Sequence, residues 1–243
     1  MNLLEVENIG KNFGGVRALD EVSLMVDKAE TLGLMGANGA GKTTLFSVIA
    51  GHLKPSNGII RLKGKTITGY RPDKVCRLGI ARTFQIVRPF IGMSVRENVE
   101  VAILFGNSGY DSASSLGDRA MDILDDVGLQ GLSETFAGKL TLSARKCLEV
   151  ARALATGPEI LLLDEVMAGL TPREVDDMIE IIQRIKLQRR LTIVIVEHVV
   201  KALNQLSERV VVLHHGKIIA TGSPQEIAQN IDVREAYFGA SDT

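Results

Sequence analysis

Residues 36–43 read Gly-Ala-Asn-Gly-Ala-Gly-Lys-Thr, a complete G-x-x-x-x-G-K-[ST] loop. Before it stands a short apolar run, Thr31-Leu-Gly-Leu-Met35, which reads as a buried strand. After it stands Thr44-Leu-Phe-Ser-Val-Ile-Ala50, which reads as a helix. The fold must therefore deliver a buried strand into a helix N-terminus through a glycine-rich turn. Gly36, Gly39 and Gly41 let successive backbone N–H groups turn toward one anion with no Cβ in the way. The helix dipole adds favourable potential at the same place. In this pattern Lys42 brings positive charge to the β- and γ-phosphates of a nucleotide, and the Thr43 hydroxyl can ligate Mg²⁺. Ala37, Asn38 and Ala40 complete the cradle, with Thr44 following on the helix.

Composition narrows the setting. A chain of 243 residues holds one large domain, or one domain with a subdomain, and 45% hydrophobic residues supply its core. Aromatic residues at 4%, with no Trp, argue against base-stacking platforms, and a net charge of −1 offers no electrostatic footprint for nucleic acid. Cys76 and Cys147 form no disulfide framework and fit a reducing cytosol. The stretch Met1-Asn-Leu-Leu-Glu-Val-Glu7 lacks the basic start and apolar run of a signal peptide. The apolar stretch Leu191–Val196, broken only by Thr192, is strand-sized, and no apolar run approaches the ~20 residues that cross a bilayer. The chain is expected to be soluble unless a partner holds it at a membrane.

Along the chain, residues 2–35 alternate strand-like runs with turns, such as Ser23-Leu-Met-Val26, and Gly58–Leu62 with Gly64 predicts a further hairpin. Ala81–Phe84 reads as a strand. From about 88 to 155 the pattern becomes helical. Ser94 predicts a cap for a helix through Val95, Val99 and Ile103. Asp118 predicts a cap for one through Met121, Leu124 and Val127 that closes at Gly128, and a third runs from about Ser143 to Ala155. Gly106–Gly117 reads as a loop. Strand–helix alternation returns after Pro158, with apolar strands at Ile160–Leu163 and Leu191–Val196. Pro172 stands at a helix N1 position, a hairpin turns around His215-Gly216, and Ser223-Pro224 opens a late helix. The whole reads as an α/β nucleotide-binding core interrupted by a helical insert.

In α/β sheets ligands gather at the carboxyl ends of strands. Asp164 ends the Ile160 strand, is expected next to the loop of Lys42, and can hold Mg²⁺ through water. Glu165 follows, aimed where an attacking water would sit, and is the candidate general base. His198, after the Leu191 strand, could contact the γ-phosphate or orient Glu165. Gln85 could reach Mg²⁺ or water. His52, His214 and His215 read as turn or surface residues, and no Cys/His spacing suits a transition metal.

Together these residues resemble the ATPase subunit of ATP-binding cassette (ABC) transporters over nearly the whole chain. The resemblance implies an α/β P-loop NTPase (RecA-like) core with an N-terminal antiparallel β subdomain and an inserted α-helical subdomain. The core would span 1–88 and 156–243, and the insert 89–155. Phe13, in Asn12-Phe-Gly-Gly-Val16, matches the residue that stacks on adenine, with Val16 beside it. Residues 36–44 match Walker A, Gln85 the Q-loop, Ile160–Asp164 Walker B, Glu165 the catalytic glutamate and His198 the switch histidine. Ala81–Gln85, Val166–Pro172, Ile195–Val199 and Ala236–Gly239 are similar to one of the two ATPases of branched-chain amino-acid importers. The implied ligands are ATP and Mg²⁺. The implied partners are a second ABC ATPase subunit, the same or different, membrane-spanning permease subunits and, indirectly, a solute-binding protein, with no nucleic acid. The implied location is the cytoplasmic face of a bacterial or archaeal membrane, held peripherally.

The signature motif departs from the family. Its L-S-G-G-Q register, set by Ala151-Arg-Ala-Leu154 and by Asp164, falls on Leu140-Thr-Leu-Ser-Ala144, with Cys147 in place of a later arginine. Thr141 keeps the hydroxyl. Ser143 keeps the backbone N–H that would cap the opposite subunit's γ-phosphate, but carries a Cβ where glycine is usual. Thr171 stands where the family's D-loop has Asp, and Val166 replaces a proline. Hydrolysis is expected to survive. The rival readings are a weakly hydrolysing regulatory subunit, and the ATPase of a lipid or lipopolysaccharide exporter.

Overall fold

The computed structural model describes residues 2–83, 89–106 and 115–238. In chain order the first elements are β1 (Asn2–Phe13), β2 (Val16–Asp27), β3 (Thr31–Met35), α1 (Lys42–Ile49), β4 (Asn57–Leu62), β5 (Lys65–Thr66), α2 (Pro72–Arg77) and β6 (Ile80–Arg82). There follow α3 (Val95–Phe105), α4 (Leu116–Asp126), α5 (Leu142–Ala155), β7 (Ile160–Asp164) and α6 (Pro172–Arg189). The last are β8 (Thr192–Val196), α7 (Val200–Leu206), β9 (Arg209–His214), β10 (Lys217–Gly222), α8 (Pro224–Gln229) and α9 (Ile231–Phe238). They form two compact units, Met1–Val75 with Thr192–Thr243, and Cys76–Leu191.

In the first unit, β1 and β2 form a hairpin whose last pair is Phe13 with Val16. Gly14 takes the left-handed φ of 56° that this two-residue turn needs. The hairpin extends through β4 and β5 into an antiparallel sheet of order β2-β1-β4-β5. A second set of strands is centred on β3, which pairs in parallel with β8 on one side and β9 on the other, while β10 turns back antiparallel to β9. Four of the five residues of β3 and all five of β8 are buried, which is why both read as continuous apolar runs without alternation.

In the second unit, β6 and β7 pair in parallel from Ile80 with Ile160 to Arg82 with Leu162. The helices around them start as their sequences direct. Ser94 accepts the Glu97 N–H at 3.1 Å while the Glu97 carboxylate accepts the Ser94 N–H at 2.7 Å. Those bonds hold the Glu97 carboxyl below its usual range. Thr171, with Pro172 at N1, closes the same kind of box with Glu174 on α6. Each such cap is worth about 1 kcal/mol.

The structure corrects some boundaries. The cap of α4 is Ser115, whose hydroxyl accepts the Asp118 N–H at 3.0 Å. Asp118 sits in the first turn instead, where its charge favours the positive end of the dipole. Leu116 and Gly117, expected in a loop, therefore begin this helix, and 107–114 lie outside the described residues. Strand β6 ends at Arg82; Phe84 and Gln85 lie outside the described residues. No described helix is long and apolar enough to cross a membrane.

Cys147, on α5, is buried, and loss of solvent pushes its thiol up to about 11, with the Asp177 charge adding to the shift. The folded chain thus holds this proton more tightly than the unfolded one, so its stability contribution fades as pH rises from about 9. At pH 8 only about one thiol in a thousand is ionised. Iodoacetamide should therefore label the half-buried Cys76 in the native protein and reach Cys147 only after denaturation. Mass spectrometry of the digested protein checks this, and equal labelling rates would mean that the inner face of α5 opens in solution.

Candidate functional site

The candidate residues are distributed over both units. In the first, the loop from Gly36 to Gly41 joins the buried strand β3 to α1. A Cβ on Gly36 would fall on the Leu213 carbonyl, and one on Gly41 would lie 2.6 Å from the Ala18 carbonyl. Glycine is thus required by the space as well as by the φ of 108° at Gly41. Lys42 is 5% exposed, and its ammonium donates to the Gly36 carbonyl at 2.7 Å and the Ala37 carbonyl at 3.0 Å. The side chain so folds over the same loop whose amides form the cradle. Thr43 is exposed on the first turn of α1 and Thr44 is half-buried.

Register places His198 beside this loop. Leu34 of β3 pairs with Val196 of β8, so Glu197 and His198 follow at the level where β3 gives way to Gly36. Glu197 is buried and His198 is exposed. The strand carrying Asp164 was expected next to the loop; the hydrogen-bonded neighbours of β3 are β8 and β9. The runs Ile160–Leu163 of β7 and Ile193–Val196 of β8 are both wholly apolar, so composition does not rank one above the other as a partner of β3. Phe13 and Val16 lie at the tip of the β1–β2 hairpin, 47% and 67% exposed, with the Lys11 ammonium 5.1 Å from the Phe13 ring centroid. An aromatic face so placed can take a flat ring from solvent.

The hairpin of β9 and β10, which reads in the sequence only as a turn, braces this loop. The Gly216 N–H donates to the Ala40 carbonyl at 3.0 Å, and the Gly216 carbonyl accepts the Asp20 N–H at 2.8 Å. The phosphate-type loop is thereby tied to β2 and to a segment far along the chain. Only the Gly after His215 hinted at it, and glycine is common in turns.

In the second unit, Asp164 closes β7 and is buried at 1% exposure. Its Oδ2 accepts from Arg82 Nη2 at 2.7 Å, and its N–H donates to the Thr83 hydroxyl at 3.0 Å. Its Oδ1 is buried and has no hydrogen-bond partner. A buried carboxylate oxygen left open in this way suits a cation or its water, so the residues fit Mg²⁺. Among the described residues no cluster of three His, Cys, Asp or Glu forms a metal centre of its own.

Glu165 is half-buried, and its backbone is left-handed, with φ of 50°, a conformation that costs a non-glycine residue on the order of 1 kcal/mol. Its carbonyl accepts from the buried Lys146 ammonium at 3.0 Å and from the Ala168 N–H at 3.2 Å. Lys146 belongs to α5, so the helix that begins at the altered signature also holds the backbone of Glu165. Thr141 is the N-cap of α5, its hydroxyl accepting the Ala144 N–H at 3.3 Å. The first-turn amides of Leu142 and Ser143 have no partner within the helix, and Ser143 is half-buried. Arg82, Thr83 and Lys146 were not singled out from sequence, because their meaning is a contact with a residue far along the chain.

Comparison with known proteins agrees with these features. The ABC transporter family matches residues 19–168, and the family described as branched-chain amino acid ATP-binding cassette transporter matches residues 217–243. The high-affinity branched-chain amino acid transport ATP-binding protein BraF of Pseudomonas aeruginosa is 36% identical, with 98% of each chain covered. LivG of Salmonella typhimurium, described in the same terms, is 37% identical over the same shares. Among solved structures, the ADP conformation of MJ1267, an ATP-binding cassette of an ABC transporter, superposes with a TM-score of 0.89 at 32% identity, covering 98% of this chain and 99% of that one. The α/β P-loop NTPase fold expected from the sequence is thus the fold of the chain, and the chain belongs to the ABC transporter family as an ATP-binding cassette ATPase.

Proposed function

We propose that the chain hydrolyses ATP to power import of branched-chain amino acids, working as one of two cassettes under a membrane-spanning permease. The observation that carries this reading is the glycine cradle of residues 36–44 with Lys42 folded over it, within a chain alike over nearly its full length to transport ATPases for those amino acids. Core residues 1–88 and 156–243 bind the nucleotide. The helical subdomain, 89–155, meets the permease, fed by a solute-binding protein, at the cytoplasmic face of the membrane.

In this reading the amides of 36–41 receive the phosphates, and Lys42 exchanges its carbonyl partners for the β- and γ-oxygens. Phe13 stacks on adenine, with Val16 beside it. Thr43, Asp164 and Gln85 would hold Mg²⁺, which would supply charge neutralisation at the β- and γ-phosphates. Glu165 takes a proton from the attacking water, and His198 contacts the γ-phosphate. Thr141 and Ser143 of one cassette cap the ATP of the other through the N-terminus of α5, whether the partner is a second copy or a different subunit. ATP must stabilise the closed pair more than ADP does for the cycle to turn.

The direct experiment is uptake. Vesicles containing the chain with its permease and binding protein should accumulate leucine in an ATP-dependent way. Lipid export with no leucine uptake would overturn the import reading. The Ser143 side chain favours one second reading, a weakly hydrolysing regulatory subunit, and Glu165→Gln separates the two. That variant should keep ATP binding, lose turnover by at least about a hundredfold and form a dimer with Mg-ATP but not Mg-ADP, as read by light scattering. A monomer under both conditions, with ATP bound, would mean that this signature needs a different partner.

Lys146→Met should lower kcat by about tenfold or more while ATP affinity stays within about twofold, because it releases the Glu165 carbonyl without touching the cradle. Lys146→Arg should restore much of the rate. Equal losses in affinity and rate would instead point to a misfolded α5.

A further inference from the structure

The first unit contains a cavity of about 390 Å³ that lies apart from the phosphate cradle, among β3, the β8–α7 connection, α8 and α9. Its walls are mostly aliphatic, including Met35, Leu203, Val210, Ile227 and Val233. Val210, Ile227 and Val233 also belong to one small buried cluster with Val212. Four polar side chains join the lining: Glu197, His198, Asn204 and Arg234. An apolar chamber of this size with few polar groups is the common form of a small-molecule site. Here the polar groups include one carboxylate and one guanidinium, so the complementary ligand is a small zwitterion with an aliphatic body.

Two further observations narrow the ligand and its effect. Pro224, Ile227, Val233 and Arg234 all belong to residues 217–243, the segment matched by the branched-chain amino acid cassette family. The cavity is thus built in part by the portion of the chain tied to one class of cargo. The opposite wall includes Met35, immediately before Gly36, and His198, the candidate γ-phosphate contact. The cavity therefore adjoins two segments that border the nucleotide site within this unit.

We propose that this cavity binds a free branched-chain L-amino acid, the imported product, on its cytoplasmic side, and that occupancy slows ATP turnover by restraining the segment of His198. The identity of the amino acid rests on the import reading above; the site itself rests on the cavity. Aliphatic carbons enter between Leu203, Val210 and Ile227, the carboxylate meets Arg234, and the ammonium meets Glu197 and Asn204.

The test is calorimetric titration of L-leucine into the full chain at concentrations up to about 10 mM, a range suited to a weak regulatory site. Saturable binding is expected, at least about tenfold weaker for 4-methylpentanoate and for 3-methylbutylamine, each of which lacks one charge. L-Glutamate should not bind. Leu203→Trp, which fills the chamber, should abolish binding, and the exposed Arg234→Ala should weaken it by about tenfold while leaving turnover without leucine unchanged. Saturating leucine should lower the ATPase rate at least about twofold in the parent chain and not in Arg234→Ala. No binding by a chain that still binds ATP, or binding indifferent to both variants or to loss of either charge, overturns the site. Unchanged turnover at saturation overturns the regulation. Leucine uptake by the assembled transporter without leucine binding here would overturn this proposal alone, whereas absence of uptake would overturn the import reading.

Discussion

The loop from β3 to α1 exists only because backbone passes where side chains would otherwise stand. Gly36 lies against the Leu213 carbonyl, Gly41 against Ala18, and Gly216 against both Ala18 and the Ala40 carbonyl. Three stretches distant in sequence thereby lock at one point: the start of β2, the loop itself and the β9–β10 hairpin. With its carbonyls occupied by Lys42 and Gly216, the loop can present amides outward, the prerequisite for gripping phosphate. Parallel strands on either side, buried on both faces, supply the rigidity that a short loop cannot provide for itself.

The second unit meets a different constraint, that of keeping charge and strain at the end of a buried strand. Asp164 is held by Arg82 and Thr83 with one oxygen left open. Removing one partner of such a pair leaves a buried charge uncompensated, which is far costlier than the pair is stabilising. Glu165 then turns left-handed, and Lys146 secures that turn from α5. The unusual signature therefore sits on a helix with a second task, which explains how changes at Ser143 and Ala144 are compatible with an ordered Glu165. Cys147 completes that inner face as a neutral, buried thiol.

The cradle was legible because its parts are contiguous: glycines, Lys42 and Thr43 act within one turn of chain. Ser94, Thr171 with Pro172, and Ser223 with Pro224 were legible or nearly so for the same reason, since caps act across three residues. Near Asp118 two capping signals compete. The structure uses Ser115, and Asp118 favours the same helix from its first turn. The misplaced neighbour of β3 was of another kind. Periodicity identifies a buried strand but does not rank apolar strands as partners, and β7 and β8 look alike to it.

The sequence by itself determined the local chemistry of this protein: where strand becomes helix, which residues can cradle phosphate, which carboxylates stand at a strand end, and the family these imply. Tertiary structure alone decided that His198 lies beside the loop, that Arg82 pairs with Asp164, that Lys146 holds Glu165, that Gly216 braces the cradle, and that the last helices help to line an aliphatic cavity. The division has a physical cause. Backbone conformation and capping are set by neighbours within a few residues. Strand register, close approach and buried ion pairs join residues tens to well over a hundred positions apart, and they form only when the cores of the two units are packed.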